Sequence, residues 1–171
     1  MTNKTLMMLA ASICAIAVVG AGVADAREGR VRARGENGVV TGAVGPSGGA
    51  TVRGRGAVQN PDGSVTAGSA GAVHTPAGNA AVRASTTTVN PDGSAVRRGG
   101  FAAQGANGAS AVSEGTTTRN AGGTYNSTRN TQATTATGNT YQGTTTYDPT
   151  TGVTRSTTCT DASGATIACP R

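Results

Sequence analysis

The sequence predicts an all-β fold, either a repetitive antiparallel hairpin meander with a 15-residue repeat or a β-solenoid of the same period. Three observations point there. Gly48, Gly63, Gly78, Gly93, Gly108, Gly123 and Gly138 recur every 15 residues without a slip. The eleven-residue segments between turns, such as 49–59 and 79–89, are rich in Thr, Val and Ala, which suit a pleated surface. No 3.6-residue apolar pattern occurs after Val23, so helices are not expected.

Taken in order, residues 1–26 read as a cleavable secretory signal peptide. Lys4 supplies the positive start, the run from Leu6 to Gly22 is uncharged, and Ala24-Asp25-Ala26 places small residues where a signal peptidase reads, with cleavage after Ala26. A membrane anchor needs roughly 20 apolar residues with suitable flanks. This run is broken by Ser12, Gly20 and Gly22, and no later segment is apolar enough to span a bilayer. The working chain is therefore expected in an oxidising place: secreted, periplasmic or in the cell envelope.

Beyond Ala26 lie 145 residues with thirteen Arg, seven acidic residues, and no Lys, Leu, Met or Trp. Large apolar residues make up about a tenth, against the roughly 20% below which a chain usually cannot bury enough surface to offset its ordering entropy. A conventional globular core is excluded. The same composition also fits a disordered tract, so disorder stands as the alternative to a β fold. Residues 27–44 form an Arg-rich arm in which Arg27, Arg30, Arg32 and Arg34 crowd together, the last three on one face if extended.

Residues 45–152 hold the repeat. Its turn units include Gly45-Pro46-Ser47-Gly48, Asn60-Pro61-Asp62-Gly63, Asn90-Pro91-Asp92-Gly93 and Thr135-Ala136-Thr137-Gly138, with Pro or Ala second and Gly fourth. A type I turn wants this pattern: Asn or Asp first caps the backbone, Pro fixes φ at the second place, and the fourth glycine accepts a left-handed conformation. Such a unit is a hairpin signal, often with a bulge at the glycine, which favours the meander. Glycines near mid-segment, such as Gly54 and Gly56 or Gly68 and Gly71, permit a bend and keep the solenoid open.

Residues 153–171 are expected to be a C-terminal hairpin stapled by a disulfide between Cys159 and Cys169, the two cysteines left after signal removal. A three-residue loop centred on Gly164 makes the two face each other. The bond closes a short loop and adds about 2–3 kcal/mol.

No catalytic constellation is present, no cofactor is implied, and the reading is non-enzymatic. His74 is the one histidine, so no cluster of imidazoles can be assembled within the chain. Asp62, Asp92, Asp148 and Asp161 fall at turns, where bonding to the backbone explains them. The arginine comb suits an acidic polysaccharide or lipopolysaccharide. The stretch from Arg27 to Arg98 has no aromatic residue for base stacking, which argues against nucleic acid. Open sheet edges allow self-association.

Thr86-Thr87-Thr88, Thr116-Thr117-Thr118 and Thr144-Thr145-Thr146 are similar to the Thr-x-Thr rows of ice-binding β-solenoids, without an array of adjacent copies. Tyr147-Asp148-Pro149-Thr150-Thr151-Gly152 resembles one copy of the Tyr-Asp repeat of large secreted toxins and adhesins. The Asn, Gly and Thr composition is similar to amyloid fibre subunits such as curlin, without their paired Gln and Asn ladders. The expected function is a structural or interaction element of the envelope or extracellular matrix. A disordered chain that holds polyanions through arginine is the alternative.

Overall fold

The computed structural model describes the backbone of residues 22–27 and the chain over residues 29–169. The expected signal segment up to residue 21 lies outside the described residues. Among the described residues twelve strands form one sheet in sequential order. They are β1 (Gly22–Arg27), β2 (Arg30–Gly35), β3 (Gly38–Val44), β4 (Ala50–Gln59), β5 (Val65–His74) and β6 (Ala80–Val89), then β7 (Ala95–Gln104), β8 (Ser110–Arg119), β9 (Tyr125–Thr134), β10 (Thr140–Asp148), β11 (Gly152–Thr160) and β12 (Thr166–Ile167). Each pairs antiparallel with its chain neighbours, which is the hairpin meander. The solenoid is not formed, because β4 and β5 run straight through Gly54, Gly56, Gly68 and Gly71, which pair in register instead of bending.

The turns explain why. At Asn60-Pro61-Asp62-Gly63 the Gly63 amide donates to the Asn60 carbonyl at 3.0 Å and the Asn60 amide to the Ser64 carbonyl at 2.8 Å, a type I turn closed by a glycine bulge. The same two bonds recur at all seven repeat turns and at Asp161. The seven repeat glycines have φ between +81° and +89°. Capping differs from expectation at Asn60 and Asn90, where the aspartate in third place does the work. Asp62 accepts from the Ser64 amide at 2.9 Å and hydroxyl at 2.7 Å, and Asp92 accepts from the Ser94 amide at 2.8 Å. At Asp161 the first-place carboxylate caps, as expected, taking the Ser163 and Ala165 amides.

Three local findings revise the domain picture. Within the span 27–44 read as an Arg-rich arm, β2 and β3 are joined by the two-residue turn Glu36-Asn37 and continue the same sheet. Strand β1 contains the expected cleavage position Ala26 and pairs with β2, so processing there leaves only Arg27 of that strand. The Cys159–Cys169 disulfide is formed, with Cα atoms 5.3 Å apart. Its register is offset from expectation, because the last loop centres on Ser163, not Gly164. Cys159 therefore pairs with Ile167, and Cys169 reaches back from two residues further along.

Among the described residues Cys159 is the one buried apolar side chain, and Ser64 and Ser113 are the buried polar ones. Cohesion comes from the backbone ladder and cross-strand pairs of small side chains, each contributing a fraction of a kcal/mol. Only the turns then decide how the strands align.

Two outcomes follow. A Cβ at Gly93 meets nothing within 4 Å, so Gly93→Val isolates the conformational cost at φ +82°; urea melting should show a loss of about 1–2 kcal/mol, and equal stability contradicts the turn geometry. Bonds from Ser64, Ser94 and Ser163 hold Asp62, Asp92 and Asp161 below the ordinary carboxyl range. That contribution to stability is complete above the ordinary range and is lost as pH falls through the lowered values. The denaturant midpoint should therefore drop on acidification, and Asp62→Asn, Asp92→Asn and Asp161→Asn together should flatten the drop.

Candidate polyanion-binding face

Because every pair from β2 to β12 is in register, one residue of each strand lines up in a row across the sheet, and alternate rows face opposite sides. The row through Arg53 runs Arg32, Thr41, Arg53, Gly71, Arg83, Phe101, Ser113. Two residues along, the row through Arg55 collects Arg34, Val39, Arg55, Ser69, Ser85, Gly99, Gly115 and Arg129, and ends with Thr145 and Arg155.

Eleven arginines lie in β2–β11, and ten fall on this one side: Arg30, Arg32 and Arg34 of β2, Arg53 and Arg55 of β4, then Arg83, Arg97, Arg119, Arg129 and Arg155. Arg98 alone points the other way. The two carboxylates within these strands, Glu114 and Asp148, also register on the other side. Charge is thus segregated by the period of two, and the arginine face lacks a neutralising partner from β2–β12.

Its centre is a shallow depression of about 450 Å³. Gly99 and Gly115 pair directly and form a floor without side chains. Arg83, Arg97, Arg129 and Phe101 stand around it, with Ser85 and Thr117 between them. Arg129 is held in place: its guanidinium donates to the hydroxyl of Ser113, a residue only 2% exposed, at 2.8 Å, while that hydroxyl lies 3.1 Å from the Asn130 carbonyl and 2.9 Å from the Thr131 hydroxyl. Guanidinium forks and hydroxyls over an open glycine floor can take a sulfate, phosphate or carboxylate by charge-assisted bonds. Phe101, paired opposite Arg83 and 41% exposed, adds an apolar wall for a sugar ring.

The expected site residues are placed as follows. Arg30, Arg32 and Arg34 do share one face, joined now by the arginines of β4 and β6. Arg27 pairs with Arg30 in the ladder. The comb read from the arm is therefore one end of a wider field. Sequence reasoning missed Arg53, Arg55, Arg83, Arg97 and Arg129, although their common face could have been found by counting the 15-residue period through each turn. Phe101 stands among arginines in space although the stretch before it in sequence is free of aromatics; it is a single platform, not the series that single-stranded nucleic acid uses. His74 ends β5 on the opposite face and is exposed. The outer threonines of the first two triplets also lie on that face, but on alternate strands, with Val96 and Arg98 of β7 between them.

No protein-family model matches this chain, and neither a curated protein nor a solved structure does.

Proposed function

We propose that the chain is a non-enzymatic interaction element of the cell envelope or extracellular matrix that binds an acidic polysaccharide or lipopolysaccharide across its arginine face. The observation that carries this reading is the segregation itself, ten arginines on one side of β2–β11 with both strand carboxylates on the other. Arginines on β2, β4 and β6 are separated by small or uncharged residues on β3 and β5, so the cations stand about 9.6 Å apart across the sheet. A polymer with regularly spaced anionic groups laid across the strands meets one cation per two strands. A disulfide, and no helix among the described residues long and apolar enough to cross a membrane, are compatible with an extracellular location. The ordered sheet takes the place of the disordered alternative while keeping its polyanion chemistry.

Arg97 and Arg98 are neighbours in sequence and lie on opposite faces, so Arg97→Gln and Arg98→Gln change net charge equally and test the face alone. On immobilised heparin or lipopolysaccharide, Arg97→Gln should elute at lower salt than Arg98→Gln. Replacing Arg30, Arg32 and Arg34 together should also flatten the salt dependence, because fewer counterions are released on binding. Equal elution of the two single variants contradicts a face-directed site and leaves only net charge.

A further inference from the structure

The face opposite the arginines has its own pattern. Across β2–β7 the row through Val52 reads Val31, Gly42, Val52, Ala72, Val82, Ala102, so a branched side chain on every even strand alternates with a hollow on every odd one. The next row on that side reads Ala33, Val40, Gly54, Ala70, Ala84, Gly100. Val31, Val52 and Val82 are 50%, 45% and 40% exposed. Within these six strands the face holds one charged side chain, Arg98, and no carboxylate. A single sheet layer leaves such a surface in water, whereas stable β architectures bury it against a second layer.

We propose that the second layer is another copy of this chain, stacked face to face about a two-fold axis parallel to the strands and passing between β4 and β5. That operation sets even strands over odd ones. Val52 then seats over Ala72 of the second copy, Val31 over its Ala102 and Val82 over its Gly42, and the reciprocal contacts follow from symmetry. In the adjacent row Val40 meets Ala84. Arg98 falls over Gly35 at the margin, and Glu114 on β8 lies beyond the six-strand overlap, over Ala24 of β1 where that strand is retained and over no strand once processing has removed it.

The shape match is therefore a property of one chain read against itself. The overlap of six strands, spaced ~4.8 Å with about 3.3 Å per residue, covers roughly 800 Å² on each copy. A standard stable interface uses about 800 Å² per partner. The arginine faces cannot stack on each other, because ten like charges would meet ten, and this choice turns both of them outward. The contact is distinct from growth at the sheet edges, which adds strands instead of layers.

Gly42 offers a clean test. A Cβ there meets only the Thr51 carbonyl oxygen at 3.8 Å, an ordinary contact, so Gly42→Val leaves the monomer room to fold while filling the hollow that receives Val82. Sedimentation of the full chain should give the mass of two copies, Gly42→Val should shift it toward one with unchanged far-ultraviolet circular dichroism, and Arg53→Gln should leave it at two. Independently, in a Cys14→Ser background with Cys159 and Cys169 paired, a short bis-maleimide should link Val52→Cys into covalent dimers and leave Arg53→Cys, one residue along on the opposite face, as single chains. A parent that sediments as one chain at millimolar concentration, a Gly42→Val variant still at the mass of two, or equal linkage at positions 52 and 53 overturns the proposal.

Discussion

With almost no side chain out of water, this sheet is held by its backbone, and the backbone is aligned at the turns. Each repeat turn needs one residue at φ between +81° and +89°. Glycine takes that conformation at no steric cost, while a β-branched residue does not. The bulge fixes a three-residue loop, the loop fixes which residues face each other, and a fixed 15-residue spacing carries the same register from hairpin to hairpin. A change of one residue in any loop would turn every following side chain to the other face. The chemistry of both faces rests on that parity.

The parity converts a sparse composition into two surfaces with different chemistry. Arginine placed at every second position becomes a field of charge, with small residues on the intervening strands keeping the guanidinium groups apart and reachable. Valine at the alternate positions becomes a ridge, and glycine or alanine on the neighbouring strands becomes the groove beside it. Neither surface needs a core. The absence of lysine beyond Ala26 also matters here, since guanidinium pairs bidentately with carboxylate, sulfate and phosphate, where an ammonium acts as a point charge.

Much of the fold was legible in the sequence, because turn chemistry is local. Asn60-Pro61-Asp62-Gly63 and its repeats announced both the turn type and the period. What was not legible depended on spatial neighbours. The glycines Gly54 and Gly68 looked like bends when read alone, yet each lies in a ladder that continues across it. The disulfide was evident from the cysteine count, whereas its register required knowing that the bulge glycine is the last loop residue and not the centre. The candidate site was half visible: Arg30, Arg32 and Arg34 stood out as a local cluster. Arg83, Phe101 and Arg129 are remote in sequence and meet only because β6, β7, β8 and β9 align.

The central claim is the register, and cross-strand proton contacts measure it directly. In a nuclear Overhauser spectrum of the labelled chain, backbone protons of Phe101 should contact Arg83 on one side and Ser113 on the other, and Gly99 should contact Gly115. That result places Arg83, Arg97 and Arg129 on one face. Contacts shifted by one residue, or none between these strands, would contradict the account, since the arginines would then be divided between the two faces or held on neither.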